Sequence, residues 1–344
     1  MIRIGVIGGG VIVRRRHLPE IVENAYAEVG AVCDVVKEKA EELAEEYGCS
    51  AYTDYKDLIQ DDSLDAVIVA GPNRFHAQMT VDALNAGKHV MCEKPMATSL
   101  EDAEAMIEAA KKNGKKLFIA QNQRLEAPHV KAKELIASGA LGKVITFKST
   151  FGHPGCERWA AEKQNTWFFK KDVSYYGCLG DLGIHKIDVV RWILGEEFTE
   201  VFAKVGTLNK VYEDGTPIDV EDNAVMLLTT ASGVMGTITV SWTYEKEDAR
   251  TIFYCENGVM TINGDPDYQI VIERFDGTAD YLKLGAVSNN TVQVKTGIVD
   301  EFVDCLVNDV EPSIGGRDGL EPLKVVFSAY RSSEERRAVE IQHK

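Results

Sequence analysis

The stretch Ile2-Arg3-Ile4-Gly5-Val6-Ile7-Gly8-Gly9-Gly10 decides how the first part of the chain folds. Its apolar run suits a buried strand, and three successive glycines end it before a helical pattern near His17 to Ala25. A strand, a glycine turn and a helix in that order make an anion site: bare backbone lets a pyrophosphate approach, and the helix start offers N–H groups without intrahelical partners. Gly8 and Gly10 take the first two places of G-x-G-x-x-G, and Val11 and Ile12 carry the backbone on from them. The third place holds Val13, a bulkier residue expected to alter the helix angle rather than to abolish binding.

Outward from this turn, strands and helices alternate. The strand Glu28 to Cys33 ends at Asp34, 24 residues past Gly10. A carboxylate at that tip accepts hydrogen bonds from a ribose diol and repels a 2′-phosphate, so NAD is expected over NADP; the plainer reading is a cap for the helix Val36 to Tyr47. Further strands at 65–70, 89–92 and 116–120, with helices at 74–86 and 99–113, continue the alternation, a doubly wound parallel sheet. The strand at 89–92 runs into Glu93-Lys94-Pro95. Proline keeps Lys94 out of the helical region, so its ammonium is carried on an extended segment just past a strand end.

The whole chain limits what such a sheet serves. Its 344 residues favour two domains, divided at 1–122 and 123–344. A net charge of −16 leaves no cationic excess for nucleic acid or an anionic membrane. The apolar run at 4–13 precedes its arginines, the reverse of a signal peptide, and no stretch reaches the ~18 apolar residues of a membrane span. Seven scattered cysteines without a Cys-x-x-Cys pair fit a reducing cytoplasm and argue against a zinc site.

Past residue 122 the hydrophobic period changes to two. Segments at 143–151, 200–208, 222–231, 234–242, 250–256 and 268–275 predict one large, mainly antiparallel open sheet, with helical cover from 181–194, 298–306 and 320–336. In the helix 181–194 apolar residues occupy nearly the whole circumference, yet Asp181, His185 and Asp188 share one narrow face. Ionisable groups there must pair with each other or with a ligand. A core histidine held by two aspartates and a pocket wall both remain open. Metal binding is not expected, since His185 has no second histidine or cysteine at ligand spacing.

With Gly8-x-Gly10, Val69-Ala-Gly-Pro-Asn73-x-x-His76, Ala86-Gly-Lys-His-Val-Met-Cys-Glu93-Lys94-Pro95 and Gly180-Asp181-Leu-Gly-Ile-His185-Lys-Ile-Asp188 in order, the chain resembles the glucose-fructose oxidoreductase / inositol dehydrogenase family from Ile2 to its last helix. The resemblance implies a Rossmann domain, an α/β domain with an open sheet, and hydride transfer between nicotinamide and a carbinol carbon of a sugar or cyclic polyol. It makes Lys94 and His185 the catalytic pair with Asp181 as polar neighbour, and lines the cofactor with Pro72, Asn73, His76 and Glu93. Arg124 matches a substrate-reaching position, and His153, Trp167 and Tyr244 are looser pocket candidates. The departures are Val13 and Gly71, the latter where the family often has threonine; the aromatic segment 152–177 is expected to set the substrate. Similar folds also serve as non-catalytic sugar-sensing regulators and as glycosidases that oxidise transiently. A homodimer or homotetramer joined through the open sheet is expected, because one sheet face is left without helices.

Overall fold

In a computed structural model of the chain, residues 1–160, 162–285 and 295–343 are described, and they form two compact units. The first holds Met1–Asn122 and the described residues of Ser288–Leu320; the second holds the described residues of Gln123–Val287 and Glu321–Lys344. The expected division at 122 therefore needs a correction, because a late segment returns to the first unit. Its anchor is the buried Glu20 carboxylate, which accepts hydrogen bonds from the N–H groups of Thr296 (2.9 Å) and Val299 (3.1 Å). The helix Ile298–Val307, expected as cover for the large sheet, instead buries Phe302 against Phe118, ring centroids 5.9 Å apart.

Six parallel strands make the first sheet: β1 (Ile2–Ile7), β2 (Ala27–Cys33), β3 (Ser50–Tyr52), β4 (Ala66–Val69), β5 (His89–Cys92) and β6 (Leu117–Ile119), in the order β3-β2-β1-β4-β5-β6. Helices on either side let β4 be apolar at every position, as in doubly wound folds. Five of the strands were legible as apolar runs. The sixth, β3, is a short exposed edge with no such run. The helix Leu100–Asn113 is bounded by its caps, Ser99 Oγ accepting from the Asp102 N–H (3.0 Å) and Gly114 in the left-handed region at φ 61°. Strand order reverses between β1 and β4, so the loops at the carboxyl ends of β1, β2, β4 and β5 surround the place where this architecture takes a ligand.

The second unit is organised on nine strands: β7 (Val144–Gly152), β8 (Phe198–Gly206), β9 (Asn223–Thr230), β10 (Met235–Ser241), β11 (Thr251–Cys255), β12 (Gly258–Ile262), β13 (Ile270–Arg274), β14 (Ala279–Leu282) and β15 (Val339–Glu340). Their order is β14-β13-β12-β11-β7-β10-β9-β8-β15, and only the β7–β10 pair is parallel. The sequence reading passed over β12, β14 and β15, which are short. Along β10, Ile238 and Val240 are buried while Thr237 and Thr239 face the other way, half-exposed. Ser241, grouped with those threonines by parity, is fully buried and bonded to Thr243 (2.9 Å). The last long helix is Gly316–Glu335, starting earlier than expected and holding Pro322 within it.

Candidate active site

Every site residue expected in the first unit lies just past a strand's carboxyl end. Gly8 has φ +104°, and a Cβ there would stand 2.6 Å from the Ala70 carbonyl, so only glycine fits. A Cβ on Gly10, by contrast, would meet nothing within 4 Å, which is the open approach a pyrophosphate needs. Asp34 joins two turns: Oδ2 accepts from the Gly9 N–H (2.8 Å) and Oδ1 from the Val36 N–H (2.9 Å). An ionised carboxylate has about four acceptor positions, so two remain for a ribose diol. Val11 and Ile12 follow half-buried, and the chain then makes a wider π-helical turn, Val13–His17, that puts Val13 wholly in the core. Gly10 and Asp34 thus fit a dinucleotide.

Glu93-Lys94-Pro95 is held from several directions. The Lys94–Pro95 peptide is cis, and the Glu93 N–H extends the ladder to the Val69 carbonyl (2.9 Å). Glu93 Oε1 pairs with His17 Nε2 (2.9 Å) while Oε2 accepts from the Lys94 N–H (3.1 Å). Burial would raise the Glu93 carboxyl, but the His17 bond and the charges of His17, Lys94 and Arg16 outweigh it and bring it to about 2. His76 places Nε2 on the Gly71 carbonyl (2.7 Å) and Nδ1 on the Pro95 carbonyl (2.9 Å), tying the loop after β4 to the loop after β5. Burial pushes its pKa down against those two bonds. His76 and Glu93, expected to line a cofactor, are buried, with their polar atoms bonded to protein groups on either side of Lys94. Pro72 is extended (ψ 146°) and Asn73 opens a short 3₁₀ turn beside them. His17 went unnoticed in the sequence; its spacing from Val13 and Ile21 on the buried side of the helix is the signal that could have flagged it.

In the second unit the expected helix 181–194 is an α-helix only from Ile184 to Leu194, entered through a π-helical turn Leu179–Gly183. The predicted stripe divides accordingly. Asp181 accepts from the Trp242 indole N–H (3.1 Å), whereas the fully buried Asp188 takes Nε (2.7 Å) and Nη2 (2.5 Å) of Arg124. This corrects the expectation for Arg124: its guanidinium is buried in a bidentate pair within the unit rather than presented to a substrate. His185 lies beside Phe151, ring centroids 6.4 Å apart, and His153 meets the same ring edge-on at 6.2 Å. Tyr244 covers Gly152 so closely that a Cβ there would be 2.2 Å from its ring. His153, His185 and Tyr244 are thereby gathered around the end of β7. Trp167 instead stacks on Phe168, at 3.9 Å and 25°.

Lys186 was also missed. Its ammonium is buried, bonded to the Ala249 carbonyl (3.0 Å) and 5.5 Å from the Phe151 ring centre; burial, opposed by Glu126, Asp248 and Glu247, brings it down to about 8. Among the described residues, Glu197, Glu321 and His343 come within metal-ligand distance of one another. Protein groups already engage them: Arg191 binds Glu197, Lys324 (2.8 Å) and His343 (2.6 Å) bind Glu321, and His343 Nε2 meets the Phe198 carbonyl (2.6 Å).

The family model described as "Oxidoreductase family, NAD-binding Rossmann fold" matches residues 2–121, and that of the GFO/IDH/MocA C-terminal domain matches residues 129–261. The chain belongs to the GFO/IDH/MocA oxidoreductase family. Within it, the chain is 29% identical over 350 residues to a myo-inositol 2-dehydrogenase of Thermotoga maritima, covering 99% of this chain and 98% of that one. It is 30% identical over 264 residues to a levoglucosan dehydrogenase of Pseudarthrobacter phenanthrenivorans, 69% of this chain and 66% of the other. A crystal structure of an aldose-aldose oxidoreductase from Caulobacter crescentus, complexed with glycerol, superposes with a TM-score of 0.85 at 28% identity, covering 98% and 99% of the two chains.

Proposed function

We propose that this oxidoreductase transfers hydride between NAD and a carbinol carbon of a sugar or cyclic polyol. The observation that carries the reading is Lys94, fixed past the end of β5 by Glu93, His17 and His76. Bound NAD supplies a hydride acceptor at nicotinamide C4; Gly8, Gly10, Val11, Ile12 and Asp34 would hold it, with Pro72 and Asn73 on the adjoining loop. Lys94 offers positive charge to the substrate oxygen as negative charge develops there. His185 takes the hydroxyl proton, the task suited to an imidazole near neutral pH. Asp181 orients the imidazole or the substrate, and His153, Tyr244 and Trp167 are the proposed lining of the polyol pocket. NAD is favoured over NADP because Asp34 is followed by the exposed Val35 and Val36, which offer a 2′-phosphate no cation or hydroxyl.

The dehydrogenase names of the relatives favour net oxidation over transient-oxidation glycoside cleavage or regulation without turnover. A homodimer or homotetramer formed through the sheet is supported by its uncovered face, where Phe202, Val225, Leu227 and Met235 are exposed on neighbouring strands. Seven free cysteines, six of them buried, favour a reducing compartment such as the cytoplasm. Purified protein offered NAD with myo-inositol, levoglucosan, aldoses and aryl glycosides should form NADH from a free polyol or sugar. Glycoside cleavage without net NADH, or dinucleotide binding with no turnover of any of them, would reject the reading. Light scattering at micromolar concentration should give at least twice the chain mass; a monomer rejects the assembly.

A further inference from the structure

The π-helical turn that brings in Asp181 and His185 is held by a residue far along the chain. Glu221 Oε1 accepts hydrogen bonds from the N–H of Gly177 (2.9 Å), the N–H of Leu179 (2.9 Å) and the Tyr330 hydroxyl (2.7 Å). Its own carbonyl accepts from the Cys178 N–H between them (2.9 Å). Three consecutive leading N–H groups of the helical stretch thus end on one buried residue, where a local N-cap would ordinarily satisfy them. Glycine makes the approach possible: a Cβ on Gly177 would stand 1.8 Å from the Glu221 carbonyl oxygen.

We propose that Glu221, together with Tyr330, is a positioning residue that sets the start of the helix bearing Asp181 and His185 for turnover. The proposal rests on the reading of those two residues as proton-handling groups. As a carboxylate, Glu221 bonds three donors and complements the positive helix start; as a neutral acid its bonds are individually weaker, but no buried charge is held out of water. Burial raises its carboxyl to about 7 against the Tyr330 and backbone bonds, so the grip changes near neutral pH. The titratable groups facing it are Tyr330 from the last helix, Tyr176 and Cys178 from the segment it binds, and Asp222 beside it, whose carboxylate is held by the N–H groups of Leu208, Asn209 and Lys210.

Amide hydrogen exchange over 177–179, corrected for intrinsic rates, tests this in the full chain without any substrate. Protection should be about tenfold lower in Glu221→Gln than in the unaltered protein at the same pH, one charge-assisted bond's difference. With myo-inositol and NAD, the same variant should lose about tenfold in kcat at pH ~8, keep its KM for NAD, and lose the step in the pH profile. Tyr330→Phe removes a bond that lowers the Glu221 pKa, so the step should move to higher pH; this arm decides the matter if Glu221→Gln does not fold. Unchanged protection and pH dependence in Glu221→Gln, or a step unmoved or lowered in Tyr330→Phe, overturns the proposal. Failure of the unaltered enzyme to oxidise myo-inositol counts against the substrate reading alone, since the exchange result stands apart from it.

Discussion

Lys94 and His185 are fixed by different kinds of neighbour. Lys94 follows a strand of the first sheet, and its supports come from adjacent residues or from loops at the same sheet edge: Glu93 on one side, Pro95 clamped by His76 on the other. The helix of His185 depends on residues brought from far along the chain, with Arg124 on Asp188, Trp242 on Asp181, and Glu221 and Tyr330 on the turn that begins it. A site written into strand-end turns carries its geometry with its motif. One mounted on a buried helix takes its geometry from whatever packs against that helix.

If both mountings serve the same reaction, Lys94→Ala and His185→Ala should each lower kcat by roughly 10²–10⁴-fold while NAD affinity stays nearly intact. A folded His185→Ala enzyme with normal kcat would remove the second unit's half of the comparison. Arg124→Ala should strip the buried Asp188 of its bidentate partner, leaving the longer Arg191 Nη1 contact (3.4 Å), and cost up to about 3–5 kcal/mol in denaturant unfolding, whereas the apolar pair Arg124→Met with Asp188→Leu should recover most of it. Loss of substrate affinity without loss of stability would return Arg124 to the substrate. Asp34→Ala should shift the NAD-to-NADP affinity ratio by at least about tenfold towards NADP, measured by titration, because a like-charge contact costs several kcal/mol; an unchanged ratio leaves Asp34 with only its turn-holding role.

The smallest expected effect separates the units by pH. Glu93, lowered to about 2, contributes stability that is present above its unfolded value of 4.5 and is lost as pH falls through about 2. Glu221, raised to about 7, contributes stability that is full below 4.5 and is lost as pH rises through about 7. Thermal melts across pH should therefore show Glu93→Gln flattening the acid limb and Glu221→Gln the alkaline limb. A swap of the two, or no change in either, would show that the buried carboxyls do not set these limbs.

Read alone, Ile2 to Gly10, Asp34 and Glu93-Lys94-Pro95 carried the parallel sheet and the edge where its functional residues gather, because turn geometry and strand ends are local properties of the backbone. Period-two patterning likewise announced the second sheet, except where strands are too short to show a period, as in β14 and β15. The stripe Asp181, His185 and Asp188 was legible as ionisable groups inside an apolar helix, yet nothing in their spacing says that Asp188 belongs to Arg124 and Asp181 to Trp242. Nor does it say that Ile298–Val307 returns to the first unit, or that His17 supports Glu93. The sequence by itself determined the order of elements and the glycine turn, since these follow from backbone sterics and hydrophobic period. Tertiary structure alone decided which buried charge meets which partner, because such a charge is satisfied by whatever group folding brings within hydrogen-bond reach, however distant in the chain.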